Sequence, residues 1–267
     1  MKKLILVAIT FLSITVFAQQ GTQYKAVFQY KKIVNEEQKL KRDSIIKAHP
    51  EMADMMKKFQ KMFDNRTFEL FFDKNTSTYK EKRTLDKPGN KSGFSISGMK
   101  LKVLFKDISK KIFIKKRPLF EDTYLISDSI PNYKWQITGE SKMIGNYTVI
   151  KAEGVEKHRD RKSKKEKEEK ITAWFTPQIP IGNGPKKYAG LPGFIMEVDH
   201  KDNVLLCTNI TVNPKDAKAI TAPTDGKKVS DKEFKKIQEK MFEKMKKMYK
   251  SRRSNKGSDS GVIIIGG

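Results

Sequence analysis

The sequence predicts an α+β protein dominated by β structure. The expected form is a curved antiparallel meander, half-barrel-like, carrying two amphipathic helices at about 50–64 and 230–251. Three observations point there. Short runs alternate apolar and polar side chains, as a strand with one buried face does. Most of these runs are separated by Asp, Asn, Gly or Pro, which suits short turns between antiparallel neighbours. Two longer stretches instead repeat apolar residues every three or four positions.

In chain order, Lys2 and Lys3 precede an apolar run from Leu4 to Phe17, and Val16-Phe17-Ala18 places small or short residues around a cut after Ala18. This is the layout of a cleaved secretory leader over residues 1–18. The run is short of the roughly 20 apolar residues of a membrane span, and no later segment approaches that length. The chain is therefore expected to be exported, with no transmembrane segment after cleavage. It would be periplasmic or secreted, and soluble or peripheral to the outer membrane.

Tyr24, Ala26, Phe28 and Tyr30 fall on one face of a first strand, with Val27 out of pattern. Phe68, Leu70 and Phe72 repeat the alternation, as do Val103 and Phe105, Tyr124 and Ile126, and Tyr133, Trp135 and Ile137. Ile171, Ala173 and Phe175 follow, then Phe194, Met196 and Val198, then the run Val204 to Val212. Cys207, the single cysteine, excludes an internal disulfide and reads as a small buried side chain on a strand.

Ile45, His49, Met52, Met56, Phe59 and Phe63 form one helical stripe within 36–64, with Pro50 placed to start a helical run. The later helix opens with a capping box, Ser230 and Glu233, and carries Phe234, Ile237, Met241, Met245 and Met248 along one face. Lys157 to Lys170 is a dense charge run, expected as a solvated hairpin loop. Residues 252–267 form a polar tail ending in Val262-Ile-Ile-Ile265, an apolar strand in need of a sheet edge. The expected organisation is thus a leader (1–18), a β-rich domain (19–229) with a helical insertion near 36–64, a helix (230–251) and a tail (252–267).

One connection is dense in conformationally special residues. Trp174, Pro177, Pro180, Gly184, Pro185, Gly190, Leu191, Pro192 and Gly193 lie between the strand from Ile171 and the strand from Phe194. Each proline removes a backbone donor, so the segment cannot be a regular central strand. Pro192-Gly193 suits the centre of a type II turn with positive φ at the glycine, and Gly190 suits a close backbone approach. The expectation is a rigid, shaped loop.

Gly190-Leu-Pro-Gly-Phe-Ile195 resembles the signature of the GLPGLI family of exported Bacteroidetes proteins, with Phe194 where leucine is usual. Ala173-Trp-Phe-Thr-Pro177, Gly184-Pro185, Trp135-Gln-Ile-Thr138 and Ile144-Gly-Asn-Tyr147 fit the same pattern. A cysteine frequent after that tyrosine is replaced here by the neighbourhood of Thr148 and Val149. The resemblance implies an envelope protein encoded near TonB-dependent outer-membrane receptors. It carries no catalytic residues.

Lys and Arg number 56 against 31 Asp and Glu, for a net charge of +25. Such a field draws anionic partners: an outer-membrane receptor or another envelope protein, an anionic lipid, or a glycan. The bases are interspersed with acids and accompany no nucleic-acid motif, which argues against nucleic acid. His49, His158 and His200 are the only histidines and none sits in a zinc spacing. Asp199 and His200 point to opposite faces of a strand and form no dyad with each other. No nucleophile elbow or phosphate loop occurs. His49, Met52 and Met56 are the candidates for a soft Cu(I) site, but Phe59 and Phe63 on the same stripe favour core packing. Aromatic residues such as Phe28, Phe72 and Trp135 suit either a carrier of an apolar ligand or a packed core. The sequence thus predicts a non-catalytic binding protein of the envelope, with no metal and no cofactor.

Overall fold

A computed structural model of the chain describes residues 21–54, 66–82, 103–119, 121–159 and 165–254. The expected leader, the apolar tail, most of the expected 50–64 helix with Met56, and residues 160–164 lie outside this description. The strands are β1 (Tyr24–Lys32), β2 (Thr67–Phe72), β3 (Thr76–Glu81), β4 (Val103–Asp107), β5 (Ile112–Leu119), β6 (Asp122–Ser129), β7 (Gln136–Ile144), β8 (Tyr147–Arg159), β9 (Glu166–Thr176), β10 (Phe194–His200), β11 (Asn203–Val212) and β12 (Lys227–Ser230). The helices are α1 (Glu36–Ala48) and α2 (Asp231–Ser254).

All twelve strands join one open sheet in the order β12-β6-β5-β4-β3-β2-β1-β11-β10-β9-β8-β7. Two antiparallel meanders, β2 to β6 and β7 to β11, are joined through β1, which pairs with β2 on one side and β11 on the other. β12 adds to β6 in parallel. The sheet bends until residues of β5, β6, β8 and β9 line one cleft, although those strands are far apart in the order.

Local chemistry explains the turns. Asp73 accepts from the backbone N–H of Asn75 (2.8 Å) and of Thr76 (2.6 Å), closing the β2–β3 hairpin. Asp107 accepts from the N–H of Lys110 (3.0 Å) after β4 in the same way. The β1–β11 register shifts between Val27 and Phe28 because Thr208 of β11 is left unmatched; this bulge switches the core-facing residues of β11 from Leu205 and Cys207 to Ile210.

The main core gathers side chains from both meanders. Phe72 stacks on Phe194 (centroids 4.4 Å apart, planes 2° apart) and on Tyr24 (5.0 Å), while Phe68 stacks on Tyr79 (5.1 Å). Phe28, Phe72 and Phe194 are fully buried, each contributing about 1.5–3 kcal/mol by apolar transfer. A second cluster centres on Tyr133, Phe175, Tyr188 and Ile195. A third pins the start of α2, where Phe234 meets Tyr124 edge-on (5.4 Å) beside Leu119 and Ile126. Ser230 caps α2: its Oγ accepts from the N–H of Glu233 (3.2 Å), and its own N–H donates to the Glu233 carboxylate (2.8 Å).

Several expectations are corrected. The α+β reading is overturned, because the described chain is mainly β, in one open, mostly antiparallel sheet of twelve strands. α1 runs earlier, from the Asn35 cap, whose side chain accepts from the Gln38 N–H (2.8 Å), and it buries no residue. It stops before Pro50 because a residue preceding proline is pushed out of the α region; His49 has φ −136° and ψ 73°. Pro50–Met52 form a short 3₁₀ turn. The single meander also fails, since β1 lies between two runs and β12 is parallel. Tyr133 and Trp135 precede β7 rather than lie within it. The charge run at 157–170 is largely strand: β8 and β9 pair out to Arg159 and Glu166. Its charges alternate across the hairpin, as where Lys157 meets Glu168 at 2.8 Å.

Cys207 sits at 2% exposure opposite Phe28, and burial pushes its thiol up to about 12. A thiol reagent at pH 8 is expected to leave the native protein unmodified and to react once denaturant opens the β1–β11 pair. Rapid labelling under native conditions, read by mass spectrometry, would contradict the central register.

Candidate functional site

The segment between β9 and β10 is a compact loop closed by its own backbone. Ile181 N–H donates to Ile179 O (2.7 Å), Gly190 N–H to Gly182 O (3.0 Å), and Asn183 and Ala189 form a bridge. Phe194 N–H reaches back to Ile179 O (3.0 Å) and Ile195 N–H to Asn183 O (2.9 Å). Prolines fit here because so few regular ladder donors are required of them. Pro177, Pro180, Gly190 and Pro192 are exposed, whereas Gly184, Pro185, Leu191 and Gly193 are buried. Trp174 is half-buried beneath Lys142, whose Nζ lies 4.2 Å from the ring centroid and 2.7 Å from Glu197.

The two motif glycines exchange their expected roles. Gly190 has the positive φ (+95°). Gly193 has none, and so does not occupy the expected type II position. It is needed for room instead: a Cβ there would lie 2.2 Å from Thr176 O.

Both meanders grip the loop. From β4, fully buried Lys106 donates to Gly184 O (2.6 Å) and Tyr188 O (3.0 Å). Burial pushes its amine well below the ordinary lysine range, and both bonds go to loop carbonyls, so the group shapes the loop. From the other side, Trp135 Nε1–H donates to Ala189 O (2.9 Å), and its ring lies where a Cβ on Gly154 would fall (2.6 Å).

Tyr188 then leads to a polar cluster that sequence reasoning did not assemble. Its hydroxyl is 2.9 Å from His200 Nδ1, and His200 Nε2 is 3.2 Å from Glu169. A neutral ring with its proton on Nε2 satisfies both contacts. Glu156 accepts from Lys187 and lies 3.6 Å from His200, while Glu169 also meets Lys201 (2.8 Å) and His158 (3.4 Å). Burial holds the His200 imidazole below its ordinary value of 6.5, outweighing the two carboxylates. Burial would raise Glu169, but Lys201 and the histidines keep it below its ordinary value. Glu156 and Glu169 are direct cross-strand partners, a like-charge pair that requires cations between them. That signal was present in the sequence but depended on the hairpin register.

Lys187, on the loop, also faces a cleft of about 1420 Å³. The β8–β9 hairpin, β5, β6 and the first turns of α2 line it. Seven lysines (115, 134, 157, 187, 232, 235 and 236) face five acids (128, 156, 168, 231 and 239), so its field is positive. Burial lowers Lys115, which lies 3.8 Å from Asp231 and 4.7 Å from the Phe113 ring centroid. Burial would raise Asp231, but Lys235 and Lys115 hold it below its ordinary range.

This arrangement suits binding. Burial pushes the hydroxyls of Tyr79, Tyr133 and Tyr188 upward, so they stay protonated, and Cys207 is shut in the core. Phe28 and Phe72 pack in the core, and Trp135 packs on Tyr133 (5.1 Å). His49 is exposed beside Glu51 (3.3 Å); the side chain of Met52, like Met56, lies outside the description. Among the described residues, no group of three or more His, Cys, Asp or Glu side chains is arranged to hold a metal.

Residues 153–197, from β8 through the loop to β10, match the model of a family described as a protein of unknown function (Porph_ging). No curated protein matches the chain. Two solved structures of PNGF-II, in space groups C2 and P21, are similar to it with TM-scores of 0.51 and 0.50 at 11% and 12% identity. The likeness covers 81% of this chain in each case, and 32% and 33% of those chains. The chain thus spans about a third of their length, and at such identity the likeness concerns the fold alone.

Two outcomes are expected. Gly193→Ala should cost about 1–3 kcal/mol, as overpacking against backbone does, and more than Gly190→Ala, which adds φ strain of about 1 kcal/mol in open space; equal losses in denaturant melts would contradict the assignment. For His200, the unfolded chain takes up a proton near pH 6.5 that the folded chain resists. Stability is therefore lost as pH falls from about 6.5, and His200→Gln should flatten the stability profile between pH 6.5 and 5. The Glu169 contribution falls lower, below its ordinary value of 4.5, so an unchanged profile between pH 6.5 and 5 would exclude His200 as its source.

Proposed function

We propose that this chain is a non-catalytic binding protein of the cell envelope, and that its lysine-lined cleft receives an acidic segment of another envelope protein. The observation that carries this reading is the cleft: seven lysines converge on it from β5, β8, the β6–β7 connection, the loop and α2. Opposed acids hold several of them in place, as Glu156 does Lys187 and Asp231 does Lys235. A positive, preorganised concavity steers and orients an anionic partner more than it adds raw affinity.

Other features support the reading. The resemblance of Gly190–Ile195 to the signature of exported GLPGLI proteins, with the leader-like start of the chain, favours the envelope. Their association with TonB-dependent receptors suggests a receptor as the partner. Burial keeps the Tyr133 and Tyr188 phenols and the Cys207 thiol protonated, which favours binding over covalent chemistry at these groups.

A fluorescent poly-glutamate peptide should bind the protein at low salt and weaken steeply as ionic strength rises. The double substitution Lys134→Glu and Lys236→Glu, both at exposed cleft positions, should weaken binding at least about tenfold, or about 1.4 kcal/mol, without lowering the melting temperature. Unchanged affinity, read by anisotropy, would remove the cleft from the reading.

A further inference from the structure

Helix α2 is longer than the stretch whose described side chains pack on the sheet. Its 24 residues span about 36 Å, and its packing against the sheet is concentrated on β6 and β12, through Phe234 and Ile237. Beyond Ile237 the helix continues, and so does the apolar stripe. Met241, Phe242, Met245, Met248 and Tyr249 occupy the same side by helical spacing.

Charge is distributed unevenly along the helix. Its acids, Asp231, Glu233, Glu239 and Glu243, all lie in the first part. From Lys244 to the end there are only bases: Lys244, Lys246, Lys247, Lys250, Arg252 and Arg253. The helix dipole favours some positive charge at a C-terminus, but six bases without an acid exceed what one terminus requires. Lys240, Lys244 and Lys247 are exposed along one flank of the stripe.

We propose that the C-terminal half of α2 lies on an anionic lipid bilayer, with its apolar stripe in the headgroup boundary and its bases over the lipid phosphates. An apolar stripe flanked by lysines and arginines is the pattern of an interfacial helix, because long basic side chains can lay their stems along apolar surface and keep their charges at the headgroups. Charge complementarity selects this occupant. A second copy of the chain would bring two strongly positive helix ends together, whereas an anionic bilayer neutralises them. The helix lies on the surface, since no described helix is long and apolar enough to cross a membrane. Phe234, Ile237 and the capping box anchor its first turns to the sheet, so the protein body stays outside the bilayer.

The test uses the whole chain and vesicle co-sedimentation. Vesicles of phosphatidylglycerol mixed with phosphatidylcholine should bind the protein at least tenfold more tightly than phosphatidylcholine alone, and binding should fall with salt. The double substitution Met245→Glu and Met248→Glu should abolish sedimentation while the melting temperature and poly-glutamate binding persist, which separates this anchor from the cleft. If that variant does not fold, Lys246→Glu with Lys250→Glu should weaken binding to the anionic vesicles at least tenfold. Equal binding to both vesicle types, no binding to anionic vesicles, or unchanged binding by the variants would overturn the proposal. So would a wild-type dimer in ultracentrifugation that Met245→Glu with Met248→Glu converts to monomer, since a second copy would then cover the stripe.

Discussion

The bent sheet needs something between its two meanders, and the loop from Pro177 to Gly193 supplies it. A loop in such a place must satisfy its own backbone polar groups away from water. It does so by bonding to itself and by presenting Gly184 O and Tyr188 O to the buried Lys106 amine. Trp135 and Thr176 confine it from the other side, one by donating to Ala189 O and one by leaving space only for glycine at position 193. The positions of β10, of the second core cluster and of Lys187 at the cleft all follow from this packing.

The loop thereby joins core to surface. Consecutive residues do different work: Lys187 turns to Glu156 and the cleft, while Tyr188 turns inward to His200. The paired carboxylates Glu156 and Glu169 sit where two anions would repel; Lys187 and Lys201 neutralise them, and His200 donates to Glu169. Much of the cleft geometry is therefore set by charges that balance one another beneath it.

Much of this was legible in the sequence, for identifiable reasons. Alternation revealed most strands because one face of each is buried, and the Ser230–Glu233 spacing marked the start of α2. The proline-glycine stretch was readable as a shaped loop, but the division of labour between Gly190 and Gly193 was not. A glycine needed for φ and a glycine needed for space look alike until the opposing Thr176 carbonyl is placed. The hairpin at 157–170 read as loop because its charges alternate without an apolar face; cross-strand ion pairs hold it instead. Adjacency on one strand shows only that Asp199 and His200 form no dyad, whereas the partners of His200 arrive from β8, β9 and the loop. Lys106 gave no signal, since a lysine in a strand normally reads as its solvent face.

The place of β1 has a consequence for how the molecule is made. Its ladder with β11 brings together segments such as Gln23 and Asn213, 190 residues apart, and without it the two meanders have no common centre. Contacts of such separation form late and slowly, because the loop entropy of the intervening chain must be overcome first. Until β11 docks, β1 has one hydrogen-bonding edge unmatched, which leaves Phe28 and its neighbours open to mispairing.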